Sequence, residues 1–390
     1  MKIDIVSALY GLEPGGAEIS TRILVDELLA LGVDVEVVSS RREALDEPGG
    51  TVLPEMTWIP WQIVLYAPNR VLDWMFRSAF VRRWRERKPD VVLIEDHLSI
   101  VGAVEAVELL RKRGQSIALA VTQMWEVDSE FFFDYRAYPI AAAFVRRFRV
   151  ANGLAKRMDL VNALTQYLRR RVIDRLEVPP ERVGVFPTIA IKEGPKLESP
   201  PPERPLLLAP GRINPEKGSL FFLDVVRTLA GRRRDFQAVF LGGGPHEGIV
   251  RTAIDREGLG DVCSITGKVP YAQFVKYYGE ATAIVTPIMY PCGYTRVVLE
   301  SLYAGKPVIT FDQGSMPEIV IDGVTGYRVR PGSVEAFAAA CERFIDDPAS
   351  ARAMADACRK VAIEHADVRR AARELLDALT AAHRVRTANP

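Results

Sequence analysis

Two cations five positions apart, Arg212 and Lys217, stand in the segment Gly211-Arg-Ile-Asn-Pro-Glu216-Lys217-Gly218, between an apolar run of strand length and a segment of helical period. An arginine can grip phosphate oxygens through two parallel N–H bonds, a lysine adds a compact charge, and the N-terminus of the following helix adds backbone donors. The arrangement suits a diphosphate. Taken in isolation the same residues would also make a solvated turn. Gly11 to Glu18 follows the first strand-like run, and Gly242-Gly243-Gly244-Pro245-His246 follows a later one. Glycines there let backbone N–H groups approach an anion, although the first loop is no GxGxxG and could be a tight turn alone. His246 reads as a loop histidine. Glu300 lies in a mostly apolar helix and needs a partner, either a ribose diol or a neighbouring basic residue.

Positioning these residues requires strand carboxyl ends, and the chain supplies them. Apolar runs alternate with helical periods, as in a parallel sheet with helices on both faces. Ile3 to Leu9, Val33 to Ser40, Val91 to Glu95, Ile117 to Thr122, Leu160 to Leu164 and Val183 to Phe186 are predicted as strands of a first sheet. A proline-rich stretch, 194–205, reads as a stiff linker. The alternation then restarts with Leu206 to Pro210, Ala238 to Leu241, Ala283 to Pro287, Val308 to Asp312 and Tyr327 to Arg330. From Val334 onward the composition predicts three helices, broken near Asp347-Pro348 and at Asp367. The expected organisation is an α/β fold of two doubly wound, Rossmann-like domains, 1–193 and 206–367, followed by a final helix, 368–390. Such sheets bind ligands at strand carboxyl ends, here across a cleft between the domains.

Composition narrows the alternatives. The 390 residues carry 51 Lys+Arg against 50 Asp+Glu, so no global field favours nucleic acid. The four cysteines form no CxxC pair and the four histidines share no metal-ligand spacing, which predicts a reduced, cytoplasmic protein without structural zinc. Neither a secretion signal nor a membrane-spanning run is visible.

Gly15-Gly16-Ala17-Glu18, Gly211-Arg212 with Glu216-Lys217-Gly218, the Gly242 to Gly244 loop, Glu300 with Ala304-Gly305-Lys306-Pro307-Val308, and Gly314-Ser-Met-Pro317-Glu318 with Asp322-Gly323-Val-Thr-Gly326 occur in that order. In this ordered set the chain resembles the GT-B glycosyltransferases of family 4, most specifically after residue 205. The resemblance implies a retaining transfer of a sugar from a nucleotide diphosphate donor, without metal or other cofactor, with 1–193 binding the acceptor, 206–367 binding the nucleotide sugar and the helix 368–390 packing back toward the first domain. It implies that Arg212 and Lys217 hold the diphosphate and stabilise the leaving group. Glu300 would bind the ribose, Gly15 and Gly16 would close on the donor phosphate, and Gly243 and Val269 would lie along the donor, Val269 at the base.

The chain also departs from that family. Cys292 stands where the first of two glutamates is usual, in Pro291-Cys292-Gly293-Tyr294-Thr295, and Thr295 replaces a common glycine. Cys292, Gly293, Tyr294 and Thr295 thus form a modified donor-sugar pocket, with Cys292 a small filler or a functional thiol. The family's first-domain histidine is missing near Val121-Thr122-Gln123; His97, after Val91 to Glu95, is a candidate catalytic or acceptor-side contact, the alternative being an Asp96 helix cap beside a bystander ring.

Finally, 58–88 and 131–149 interleave aromatic and basic residues. Such stretches suit an anionic membrane surface or, equally, a core-packed helix with a solvated basic face. The expectation is transfer to a lipid-linked or glycan acceptor in cell-envelope polysaccharide or glycolipid synthesis, peripherally at the inner face of the cytoplasmic membrane. Transfer to a soluble small acceptor and an inactive sugar-nucleotide-binding scaffold are the alternatives.

Overall fold

A computed structural model of the chain describes residues 1–8, 10, 16–57, 70–123, 148–188, 202–293 and 295–388. It divides into two compact units, one formed by 1–190 with 367–390 and the other by 191–366.

The first unit holds β1 (Lys2–Val6), β2 (Asp34–Ser39), β3 (Gly50–Val52), β4 (Val91–Ile94), β5 (Ala118–Gln123), β6 (Leu160–Ala163) and β7 (Val183–Val185), in the order β3-β2-β1-β4-β5-β6-β7. Every neighbouring pair is parallel. Unbroken apolar runs such as Val91-Val-Leu-Ile94, buried throughout, are what a parallel strand covered on both faces requires. The helix Val368–Ala388 belongs to this unit. Its Ala372, Leu375 and Leu379 join the core around Ile3, Ile5, Leu24 and Val37. Its far end is tied by Arg386, whose guanidinium lies 2.5 Å from Asp159 Oδ1.

Of the aromatic and basic stretch 58–88, the described part forms a helix whose aromatic residues are mostly buried. In the helix Arg70–Arg87, Phe76, Phe80 and Trp84 recur every four residues and are buried, with the Phe80 and Trp84 rings stacked at 4.6 Å. Trp84 Nε1 donates to Asp4 Oδ2 at 2.9 Å inside the core. Arg87 reaches Asp34 at 2.6 Å and Asp4 at 3.3 Å, Arg83 pairs with Glu36, and Arg77 meets Glu105 at 3.4 Å. The aromatic stripe packs inward and these basic residues close its edge. Val71 and Trp74 remain exposed. Residues 58–69 and most of 131–149 lie outside the described residues.

The second unit holds β8 (Leu206–Pro210), β9 (Gln237–Leu241), β10 (Cys263–Ile265), β11 (Ala283–Thr286), β12 (Val308–Phe311) and β13 (Gly326–Val329), all parallel in the order β10-β9-β8-β11-β12-β13. Both sheets are doubly wound, with the sequence reversing direction beside β1 and beside β8. The C-terminal stretch contains four helices rather than three: Val334–Asp346, Pro348–Ala353, Ala355–Ala366 and Val368–Ala388. The additional break falls at Met354, where no proline or glycine marks it. No described helix is long and apolar enough to cross a membrane.

Candidate functional site

In the second unit the sequence leaves β8 at Pro210 and enters the helix Ser219–Ala230 through the cation-bearing loop. Asn214 builds this loop: its buried side chain accepts the Lys217 N–H at 3.0 Å, and its carbonyl accepts the Ser219 hydroxyl at 3.0 Å. Because Ser219 donates there, its oxygen is open to a donor, and His246 Nδ1 lies 2.9 Å away. Burial lowers the pKa of His246, which favours the neutral ring. The loop is further pinned by Ile213 N–H to Gly243 O at 3.0 Å, His246 N–H to Ile213 O at 3.0 Å and Met289 N–H to Glu216 O at 3.0 Å.

This scaffold leaves both cations available. The Arg212 side chain is 74% exposed, with Glu216 at a distant 3.8 Å, and Lys217 Nζ has no partner among the described residues. Both line a pocket at the carboxyl ends of β8 and β11, together with Ser219, Thr286, Pro287 and Thr295. The Thr286 and Thr295 hydroxyls are buried there without a hydrogen-bond partner among the described residues. Thr295 opens the helix Arg296–Tyr303 without capping it. Two helix N-termini, two uncommitted cations and two unsatisfied hydroxyls thus meet at one place, an environment for an anion carrying several oxygens.

The glycine loop divides by role. A Cβ on Gly242 would lie 2.2 Å from Gly211 O and one on Gly244 2.5 Å from Ile213 O, both at positive φ, so these two serve the packing of one loop on the other. Gly243 has no such constraint. Its nearest neighbours would be Glu247 Oε2 at 3.0 Å and Lys268 Cγ at 3.7 Å, and the bridge between Gly242 and Gly267 brings the Lys268-Val269 segment alongside. Gly243 and the half-buried Val269 are therefore brought together.

Other residues stand differently. Glu300 takes the neighbouring basic residue as its partner: Arg296 Nε donates to Oε1 at 2.6 Å. Burial raises the pKa of Glu300 and Arg296 opposes the shift. Glu300 does not line the pocket of Arg212 and Lys217. Cys292 is 5% exposed, and its carbonyl accepts the Ser315 N–H at 2.8 Å. Gly293 is half-buried beside it, and Tyr294 lies outside the described residues, as does Gly15.

In the first unit Gly16 opens the helix Gly16–Ala30. Asp96 ties the turn before the helix Ile100–Arg111, whose N-cap position is Ser99: it accepts Ala8 N–H at 2.8 Å, Leu98 N–H and Ser99 N–H at 2.7 Å and the Ser99 hydroxyl at 2.9 Å. His97 lies against Phe148, ring centroids 4.5 Å apart. Just before them stands Glu95, 5% exposed, taking the Thr21 and Thr122 hydroxyls, its pKa raised chiefly by burial. Sequence reasoning missed Glu95, Asn214, Thr286 and the pairing of His246 with Ser219; only the Asn214-Pro215 dipeptide carried a turn signal that could have found one of them. No group of three or more His, Cys, Asp or Glu among the described residues could hold a metal ion.

Two parallel, doubly wound sheets, one in each unit, are the architecture of the GT-B fold class. Residues 14–189 match the family described as Glycosyltransferase Family 4 and residues 192–361 that described as Glycosyl transferases group 1; the chain belongs to this family. Three curated relatives are the alpha-D-kanosaminyltransferase of Streptomyces kanamyceticus (31% identical over 40% of this chain and 40% of that protein), the D-inositol 3-phosphate glycosyltransferase of an Arthrobacter species (26%, covering 87% and 83%), and the GDP-mannose-dependent alpha-(1-6)-phosphatidylinositol monomannoside mannosyltransferase of Mycolicibacterium smegmatis (29%, covering 42% and 44%). The chain thus spans only about two fifths of the first and third. Anabaena HepE, solved in complex with UDP, shares the fold with a TM-score of 0.76 at 19% identity, covering 98% of this chain and 100% of that one.

Proposed function

We propose that the chain transfers a sugar from a nucleotide diphosphate sugar to a lipid-linked or glycan acceptor, with retention of anomeric configuration and without a metal ion. The observation that carries this reading is the pair Arg212 and Lys217, held by a rigid loop at the mouth of a pocket and left without strong partners. In such a transfer the bond between the sugar and the diphosphate breaks and negative charge grows on the leaving oxygens. Fixed cations aimed at that charge stabilise the transition state more than the ground state. The Thr286 and Thr295 hydroxyls and the N-terminus of Arg296–Tyr303 supply further donors to the same oxygens. Glu300 would leave Arg296 in part to take a ribose hydroxyl, or share the two.

A lipid-linked acceptor is supported by the name of the mannosyltransferase relative. A second reading, transfer to a soluble small acceptor, is supported by the name of the D-inositol 3-phosphate glycosyltransferase relative, and by the inward packing of the Arg70–Arg87 aromatics. Incubation of the protein with UDP-, GDP- and ADP-sugars in EDTA, with product anomers read by NMR, tests the reaction. An α-linked product from an α-linked donor is expected. Inversion, or turnover only with added metal, would overturn the mechanism. Co-sedimentation with anionic vesicles separates the two acceptor readings.

A further inference from the structure

At the amino end of the second sheet, opposite the edge that carries Arg212, a cavity of about 430 Å³ opens before the first residues of β8, β11 and β12. Lys306, Arg352 and Arg359 all line it. We propose that this cavity binds a phosphorylated small molecule, its phosphate held among Lys306, Arg352 and Arg359. The volume is that of an ordinary small-ligand site.

The cations are arranged by the fold. Gly305 ends the helix Arg296–Tyr303 in the left-handed region, φ +72°, and the Arg359 guanidinium lies flat against it; a Cβ there would be 2.8 Å from Nη2. The turn delivers Lys306, whose Nζ donates one hydrogen bond to Gly279 O at 2.7 Å, leaving two N–H groups to spare. Arg352 is exposed and has no partner among the described residues, and Arg359 meets only the fully exposed Asp356, at 3.0 Å. Burial and the two arginines push the Lys306 pKa down to about 8, and no carboxylate offsets them. The acidic residues of the lining are spent or peripheral: Asp347 accepts Ala349 N–H at 3.1 Å and Ser350 N–H at 3.2 Å, Glu280 faces Lys276 at 3.7 Å, and Glu203 is exposed. Three like charges brought together around a cavity repel one another, and a phosphate dianion relieves that repulsion with charge-assisted bonds.

The test uses the full chain with Arg212→Ala and Lys217→Ala, so that the loop at the opposite edge contributes no phosphate binding. Titration with inorganic pyrophosphate by calorimetry should show one equivalent bound. Adding Arg352→Glu, at an exposed position and with an unchanged melting curve, should weaken binding about tenfold or more. In the unsubstituted chain, NMR of labelled lysines should show the Lys306 titration moving up from about 8 toward 10.5 when pyrophosphate is saturating. Pyrophosphate binding that Arg352→Glu leaves within twofold, a Lys306 titration that stays near 8, or no binding at millimolar pyrophosphate would each overturn the proposal. Sedimentation with phosphatidic acid vesicles that Arg352→Glu abolishes would assign the phosphate to a lipid headgroup. Glucose 6-phosphate binding without sedimentation would assign it to a soluble ester. These outcomes do not depend on whether the chain is a transferase.

Discussion

The helix Arg70–Arg87 and the loop 211–218 are both basic, yet their cations are used in opposite ways. In the helix, Arg77, Arg83 and Arg87 each meet a carboxylate on a neighbouring element, and Asp4, one of those carboxylates, is wholly buried. In the loop, Arg212 has only a distant Glu216 and Lys217 has no partner among the described residues, although backbone and side-chain hydrogen bonds fix the loop from both sides. Cations that already have partners hold a fold together, while cations held rigidly without them are poised for an anion that arrives from outside. The sequence shows the same residue types in both places and cannot distinguish them, because the partners are far away in the chain.

The largest effects expected from this contrast are at the loop. Arg212→Ala and Lys217→Ala should each cost about 2–4 kcal/mol of transition-state stabilisation in donor turnover, with folding stability changed by less than about 0.5 kcal/mol. Steady-state kinetics beside urea melts would check both, and a loss of stability without a loss of turnover would erase the distinction. Arg87→Ala should do the reverse. Removing one cation from buried Asp4 should destabilise the protein by about 2 kcal/mol, Arg83 and Trp84 retaining part of the pairing; turnover per folded molecule should be unchanged.

A smaller effect is expected at Glu95. Its carboxyl titrates above the usual 4.5 in the folded protein because it is buried, so its contribution to stability is fully present below the unfolded value and is lost as pH rises through the folded one. Glu95→Gln keeps a neutral group between Thr21 and Thr122, and should gain stability relative to the parent as pH rises from about 4 to about 8. Urea melts at the two pH values decide it. Smallest of all, Gly243→Ala should leave stability within about 0.5 kcal/mol while weakening donor binding, whereas Gly242→Ala, at φ +138° and 2.2 Å from Gly211 O, should destabilise. Equal melting temperatures for the two alanine variants would show that the loop packing has been misjudged.

Much of the architecture was legible because buried parallel strands are written as unbroken apolar runs, as in Val91 to Ile94 and Val308 to Phe311. The strands missed, Gly50–Val52 and Cys263–Ile265, are three residues long and lie at the sheet edges, too short to show a period. The loop of Arg212 and Lys217 was legible from its glycines and its place after a strand. Glu300 and Asp96 were each written with two readings, and in both the structure shows a local partner, Arg296 for one and the N–H groups of the turn at Leu98 and Ser99 for the other. Thr286 and Glu95 gave no signal, since nothing in a strand-end threonine or glutamate shows whether its neighbours will satisfy it.

The most direct test is calorimetric titration of UDP, GDP and ADP into the unsubstituted protein and into the Arg212→Ala, Lys217→Ala double variant, both in EDTA. One of the three nucleotides should bind the unsubstituted protein, and the double variant should bind it at least about tenfold more weakly with an unchanged melting temperature. Equal binding to both proteins, or binding that appears only when a divalent metal is restored, would contradict the assignment of the two free cations to the donor diphosphate.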